Sequence, residues 1–433
     1  MRRLKDKLKA LDNGRIQRQW QKLDSQSGLS TKEKLAKLVT LSMKRKTAPD
    51  AKQEPEPASA PAPQPQDDEP FLIREFDYSP QAVFGRVRLA EWQQASREAL
   101  AMLANDERFL QVDPQQLLFF DSETTGLAGG TGTIPFMLGF GFFDAGRFQV
   151  KIFLLKDLSR EADFLFAVEQ FLAEHIFSAT VTFNGKAFDF PLLETRFILQ
   201  QRRMPLLDLP HLDFLFPARI IWKNTYESRK LSYLGEMIMG ISRGEDIEAS
   251  DIPALYFGFL RSNQISVLDP VIEHNALDIV GLAAVVLLAV RYLDDPALAN
   301  DEGERFGLAR LFERFGWLGK AEELYQQVKS GAARTAVLTQ AVRRLAVLLK
   351  KKKLFHEALA LWEQLSEFDD QFAFHELSIH YEHRERNYRQ AVAVVERAMT
   401  RLDLSERRRT ELEKRLQRLQ KKLASLEESE ETE

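Results

Sequence analysis

A run of four apolar residues that ends on two acids is the feature that most restricts the fold of this 433-residue chain. Leu117–Phe120 predicts a buried strand, and Asp121 and Glu123 follow it. Because side chains alternate across a strand, residues two apart share a face, so the two carboxylates should lie side by side. Two like charges about 4 Å apart repel by roughly 4 kcal/mol at an effective dielectric near 20, and a bound cation reverses that repulsion. The pair therefore predicts a metal site at the end of a core strand.

A further acid is predicted at the start of a helix. The β-rich residues 181–183 pass through Asn184 and Gly185 into a segment with helical apolar spacing that contains Pro191. Proline is tolerated only in the first turn of a helix, so this helix must begin just before it. Asp189 is therefore expected at a helix N-terminus.

A third motif pairs an imidazole with an acid. Asp269 is a good N-cap and Pro270 a good first helical residue, so His274 and Asp278 are predicted to lie one turn apart on the same helix face. The rest of this helix is almost all Ala, Val, Leu and Ile. We therefore expect the two polar side chains at the rim of a core rather than in open solvent.

Taken together, the three motifs resemble those of the DEDD superfamily of exonucleases, whose fold is the ribonuclease H-like α/β domain. The motifs read DSETTG, N-x-x-x-F-D and H-x-x-x-D. The third has the spacing of the tyrosine-type members of that superfamily, although its first residue is histidine. Two further segments are similar to the YprB branch of the superfamily, whose members are ribonuclease H-like exonucleases: LAGGTGTIPFMLGFG and HNALDIVGL.

The resemblance implies a 3′-5′ exonuclease that hydrolyses phosphodiester bonds by a two-metal mechanism. Two divalent ions, Mg²⁺ or Mn²⁺, would be held by the four acids Asp121, Glu123, Asp189 and Asp278. His274 would take the proton from the attacking water. The residues implied to bind the terminal nucleotide are Thr124, Thr125, Gly126 and Asn184.

The fold class predicted for residues 116–295 is α/β, a ribonuclease H-like mixed sheet with flanking helices. After the first strand, residues 134–144 and 147–157 read as two more strands joined by Asp-Ala-Gly, a strong turn signal. Residues 159–176 predict an amphipathic helix, and residues 206–216 contain a candidate strand. The order of three strands, helix, strand and helix agrees with the fold that the resemblance implies.

The residues before this domain change character twice. Residues 1–47 form a basic arm with fourteen Lys and Arg against four Asp and Glu, and residues 48–70 read as a Pro/Ala-rich disordered linker. The arm is interpreted either as an electrostatic hold on nucleic-acid phosphates or as a solubilising tail. Residues 71–115 are expected to pack on the nuclease domain.

Residues 300–401 are predicted to form all-α helical repeats that resemble tetratricopeptide repeats. Ala321, Ala358 and Ala391 mark three copies, with periods of 37 and 33 residues. Such repeats suit the docking of a protein partner or a substrate strand. Residues 402–433 read as a C-terminal helix, either a solvating helix or a short coiled coil, with an acidic tail.

Composition and charge indicate where such a chain works. It has no cysteine, so a disulfide framework is excluded. No signal peptide is recognised, and the longest apolar run, residues 279–290, looks too short to cross a bilayer, so we expect a cytoplasmic protein with no membrane partner. The expected partner is nucleic acid with a single-stranded 3′ end, and DNA and RNA both remain open. The alternative function is a catalytically weak nucleic-acid-binding scaffold that recruits a protein through its repeats.

Overall fold

The computed structural model describes residues 69–126, 132–240 and 247–430. The predicted basic arm lies outside these residues, as do all but the last two residues of the predicted linker. Residues 127–131 of the glycine-rich segment also lie outside them.

A six-stranded mixed sheet carries the first half of the described chain. Its six strands are β1 (Phe71–Tyr78), β4 (Leu117–Thr124), β5 (Pro135–Asp144), β6 (Arg147–Leu155), β7 (Ala179–Thr182) and β8 (His211–Asp213). The short strands β2 (Val83–Phe84) and β3 (Val87–Arg88) form a separate hairpin. The order across the sheet is β1-β6-β5-β4-β7-β8, with β7 and β8 parallel to β4 and the other pairs antiparallel. This arrangement confirms the predicted fold class.

The β5–β6 connection confirms the predicted turn signal. Ala145 and Gly146 both have positive φ, 46° and 77°, and join the two strands in a tight hairpin. Strand β1 comes from the segment before the predicted domain and pairs with β6 along its full length. The sheet therefore has three strands, β1, β6 and β5, on the antiparallel side of β4 and two, β7 and β8, on its parallel side.

Seven helices cover this sheet and lead out of it. They are α1 (Arg97–Ala104), α2 (Glu161–Glu174), α3 (Asp189–Leu199), α4 (Leu215–Ile221), α5 (Leu231–Met239), α6 (Ile252–Ser262) and α7 (Asp269–Asp294). The two faces of the sheet are covered by different helices. Phe120 of β4 contacts Phe190 of α3, whereas the space beside Phe119 and Gly141 is filled by Ile279 of α7.

Two predicted boundaries in this region are wrong. The candidate strand within residues 206–216 is reduced to His211–Asp213, because the carboxylate of Asp213 accepts the N–H of Leu215 and α4 begins there. Asp269 is not an N-cap but the first residue of α7, because a 3₁₀ turn at Ile265–Leu268 runs directly into the helix.

Helix α7 is longer than its uninterrupted apolar run indicates. By length and composition alone, Ile265–Asp294 would be able to cross a membrane, contrary to the expectation from residues 279–290. However, 83% of its most apolar window is buried inside the protein. This is the burial expected of a central core helix, because a helix that is apolar on all sides must be covered on all sides.

The second half of the chain consists of antiparallel helix pairs. They are α8 (Glu302–Arg314) with α9 (Leu318–Ser330), α10 (Thr335–Lys351) with α11 (Phe355–Ser366), and α12 (Gln371–His383) with α13 (Tyr388–Arg401), followed by α14 (Glu406–Glu430). Ala321, Ala358 and Ala391 are fully buried at corresponding places in the second helix of each pair. This arrangement confirms the predicted helical repeats.

Helix α14 is held on the last pair by an apolar contact and by charge. Leu419 packs into a small cluster with Ala391 and Val395 of α13. Glu382 of α12 has a fully buried side chain that meets three cations of α14 at 2.8–3.0 Å: Arg415, Arg418 and Lys422. The helix therefore serves as a cap with one covered face, one of the two roles expected from the sequence.

The repeats are joined to the sheet domain by a close helix contact. A Cβ on Gly307 of α8 would lie 2.5 Å from the backbone of Ile221 of α4, so only glycine permits this approach. Buried Glu304 accepts hydrogen bonds from Trp222 Nε1 at 3.1 Å and from the Tyr292 hydroxyl at 3.4 Å. The first repeat helix is thus packed directly against the domain that carries the candidate site.

Candidate metal centre

The two acids of β4 stand at the end of a fully buried stretch of strand. Leu117–Phe120 has no solvent exposure, whereas Asp121 and Glu123 are half-buried. Asp121 is opposite Gly139 of β5 and Glu123 is opposite Met137. The strand alternation that was predicted therefore puts both carboxylates on the face covered by α7.

Asp189 enters the site from the other face of the sheet. It is the first residue of α3, as predicted. The turn before it contains Asn184 in the left-handed conformation, with φ of 71°. Buried Asp213 holds this turn, because its carboxylate accepts the N–H groups of Asn184 at 2.7 Å and Lys186 at 3.1 Å. Asp213 was not predicted from the sequence.

His274 and Asp278 lie one turn apart on α7, as their spacing predicts. His274 Nε2 is 3.4 Å from Asp278 Oδ2, and the two side chains are 10% and 16% exposed. The pair is therefore at the rim of the core and accessible from one side only.

The charges of the four acids act on one another. Burial, followed by the charges of Asp189, Asp278 and Glu123, raises the pKa of the Asp121 carboxyl well above its usual value. Burial and the charges of Asp278 and Asp189 raise the pKa of Glu123 to about 8. Burial also raises the pKa of Asp189 to about 6, against a hydrogen bond from Ser122 that lowers it. Without a cation, ionising this cluster is unfavourable.

The side chains do not form a ready-made coordination shell. Within the ranges that the structure describes, no three Asp, Glu, His or Cys side chains are arranged to hold an ion as they stand. Asp189 Oδ1 accepts a hydrogen bond from Ser122, which lies between Asp121 and Glu123 and points to the opposite face.

The donor set nevertheless fits hard divalent cations. All four acids offer carboxylate oxygens, which Mg²⁺ and Mn²⁺ prefer, and their mutual repulsion is the cost that such an ion removes. Ser122 and Asn275 supply neutral hydrogen-bond donors to Asp189 and Asp121. Both are contacts across the fold that sequence spacing does not predict.

The residues predicted to bind the terminal nucleotide have other partners. The N–H of Thr125 donates to the Ile134 carbonyl at 2.9 Å, and its hydroxyl accepts the Ile134 N–H at 3.0 Å. The hydroxyl of Thr124 donates to the Gly126 carbonyl at 2.9 Å. The backbone N–H of Thr125 is therefore used within the fold, and the role of these residues in binding a nucleotide stays a prediction. The N–H of Asn184 is likewise used, since it donates to Asp213.

Comparison with known proteins agrees with the fold of this domain. Residues 118–290 match the model of a family described as the RNase_H superfamily. The chain is also 29% identical over 371 residues to a Bacillus subtilis (strain 168) protein named Uncharacterized protein YprB, covering 83% of this chain and 88% of that protein. Residues 118–290 are therefore similar to the ribonuclease H superfamily, in agreement with the mixed-sheet fold, and this similarity suggests a nuclease.

The raised pKa values predict how the stability of the metal-free protein depends on pH. The stability that protonation of these acids provides is fully present below their ordinary pKa values of 3.8 and 4.5, and is lost as pH rises through about 6 for Asp189 and about 8 for Glu123. We expect the melting temperature in EDTA to fall between about pH 5 and pH 8, and Mn²⁺ to reverse the fall.

The matched control for this titration is Glu123→Gln, which cannot ionise. Each unit of pKa shift corresponds to about 1.4 kcal/mol, so the wild-type melting temperature should drop below that of the variant as pH approaches 8. Melting curves in EDTA at several pH values measure the difference. Parallel curves for the two proteins would contradict the assignment of a raised pKa to Glu123.

Proposed function

We propose that this protein is a metal-dependent 3′-5′ exonuclease of the DEDD type. The observation that carries the proposal is the meeting of Asp121, Glu123, Asp189 and Asp278 at one end of β4, with His274 3.4 Å from Asp278. The ribonuclease H-like domain supports hydrolysis of nucleic acid, and an all-carboxylate donor set supports two Mg²⁺ or Mn²⁺ ions. We further propose that the protein is cytoplasmic.

The proposed reaction assigns a separate task to each group. Divalent ions bound among the four carboxylates would stabilise the charge that develops on the phosphate oxygens. Water attacks the last phosphate of the strand, the bond from phosphorus to the 3′ oxygen of the preceding nucleotide breaks, and a nucleoside 5′-monophosphate leaves. His274 accepts the proton of the attacking water at Nε2. Ser122 and Asp213 act indirectly, because Ser122 bonds Asp189 and Asp213 holds the turn before it.

The test of the proposal is degradation of labelled single strands. DNA and RNA carrying a label at the 3′ end or the 5′ end are incubated with the purified full-length protein in Mn²⁺, in Mg²⁺ or in EDTA. We expect a 3′ label to be released at once as a mononucleotide and a 5′ label to give a ladder of shortening products, in metal only. Ladders from 3′-labelled strands would assign the opposite polarity, and absence of cleavage in both metals would contradict the proposed activity.

A second candidate function is a nucleic-acid-binding scaffold that recruits a protein partner. A cavity of about 440 Å³ in the repeats favours it, since arginines and aromatic rings, which are enriched at interfaces, line it together: Arg343, Arg408, Arg415, Phe372 and Phe374. The same labelled strands separate the two candidates. Binding without cleavage in either metal would favour the scaffold.

A further inference from the structure

Asn275 is a polar residue buried in the second turn of α7. Its neighbours in sequence are the proposed catalytic His274 and the core residue Ala276, and its side chain has no solvent exposure. Its Nδ2 donates a hydrogen bond of 2.7 Å to Asp121 Oδ2. This bond joins α7 to the end of β4 and is a direct contact between α7 and a proposed metal ligand.

Strand β5 is shaped to receive this amide. Gly139 is opposite Asp121 in the β4–β5 register, and a Cβ added to it would lie 2.0 Å from Asn275 Oδ1 and 2.4 Å from Ile279 Cδ1. One turn further along α7, Ile279 fills the equivalent space over Gly141, 2.4 Å from where a Cβ would be. Two glycines two residues apart thus seat two side chains four residues apart on the helix.

Packing alone does not explain an asparagine at this position. Its Oδ1 is buried and has no hydrogen-bond partner within the described residues. A buried polar atom without a partner is costly, and leucine has nearly the same shape without that cost. The polar contact that the Asn275 side chain does make is its hydrogen bond to Asp121.

We propose that Asn275 is a positioning residue for Asp121, and that Gly139 provides the space that this role needs. The inference rests on the proposed function. The Asn275 amide fixes Oδ2 of Asp121 and leaves Oδ1 to face the metal centre. Because the donor is neutral, it orients the carboxylate without competing as a cation for its charge. Partners of this kind typically change metal affinity by 10- to 100-fold when removed.

The test is calorimetric titration of the full-length protein with Mn²⁺. Asn275→Leu is expected to weaken Mn²⁺ binding about 10- to 100-fold with a retained circular dichroism spectrum. Asn300→Leu, the same change at an exposed asparagine, should bind as wild type does. A packing role would lower the melting temperature and leave Mn²⁺ affinity unchanged, so affinity within threefold of wild type in Asn275→Leu would overturn the positioning role.

If Asn275→Leu does not fold, Gly139→Ala and Asn275→Ala, alone and together, test the same inference. Gly139→Ala should weaken Mn²⁺ binding with Asn275 still present, because the methyl group displaces its amide. In Mn²⁺ affinity, adding Gly139→Ala to Asn275→Ala should cost little more than Asn275→Ala alone, since the two changes affect Asp121 through one contact, whereas the clash of the new methyl group with Ile279 should lower the melting temperature. Additive losses would overturn the pairing. Equal binding by wild type and Asp121→Asn would instead overturn the metal centre itself.

Discussion

Replacing Asp121 by Asn is expected to abolish metal-dependent cleavage while the protein still folds. Burial and the charges of the other three acids all raise the pKa of Asp121, and its carboxylate accepts a hydrogen bond from Asn275. An amide cannot supply the negative charge that a divalent cation requires, so the ion should be lost or displaced. The effect on rate is therefore expected to be larger than that of any other single substitution in the site.

The same substitution should leave the metal-free protein as stable as wild type, or more stable. Burial and repulsion raise the pKa of Asp121, so the fold disfavours its charged form, and Asn resembles the neutral form in shape and charge. Cleavage of labelled strands and melting in EDTA measure the two effects. Asp144→Asn, at an exposed acid at the end of β5, is the matched control and should retain full activity. Cleavage at the wild-type rate by Asp121→Asn would refute the proposed site.

Periodicity predicted the parts of the site that are local in sequence. The alternation of a strand was enough to place Asp121 beside Glu123, and the turn of a helix was enough to place His274 beside Asp278. Pro191 predicted that α3 begins within one turn before it, and Asp189 is the first residue of that helix. Each prediction depends on a repeat of two to four residues that tertiary packing does not alter.

The contacts that periodicity missed all cross between distant parts of the chain. Asn275 reaches Asp121 over 154 residues, Ser122 reaches Asp189 over 67, and Asp213 reaches Asn184 over 29. Asparagine, serine and aspartate are common on surfaces, so their residue type alone does not indicate burial. Only the folded arrangement shows that these polar side chains support the acids.

The glycines of β5 and α8 show the same limit. Gly139 looks like a weak point in a strand and Gly307 like a weak point in a helix. In the structure each permits a close approach, by the amide of Asn275 and by the backbone of Ile221. The reason for a glycine at either position can be recognised only when the group packed against it is known, and that group lies far away in the sequence.

His274→Ala is expected to reduce the rate of cleavage about 10²- to 10⁴-fold, the usual contribution of a general base. His274 Nε2 lies 3.4 Å from Asp278 Oδ2 on the same face of α7, so a water bound beside Asp278 would be within reach of the ring. Alanine removes the proton acceptor and leaves all four carboxylates. Mn²⁺ affinity should therefore be close to that of wild type, in contrast to Asp121→Asn.

The comparison of rate with affinity separates the base from two other roles of the ring. If His274 only orients Asp278, Mn²⁺ affinity should fall together with the rate, because the carboxylate loses the partner that holds it. If the ring only fills space at the rim of the core, the melting temperature should fall and the rate should change little.

Single-turnover cleavage at saturating Mn²⁺ isolates the chemical step. His356→Ala, at an exposed histidine of the repeats, is the control and should cleave as wild type does. A rate loss below about threefold would lie far outside the range for general-base catalysis and would remove His274 from the mechanism, leaving the four acids as the proposed centre.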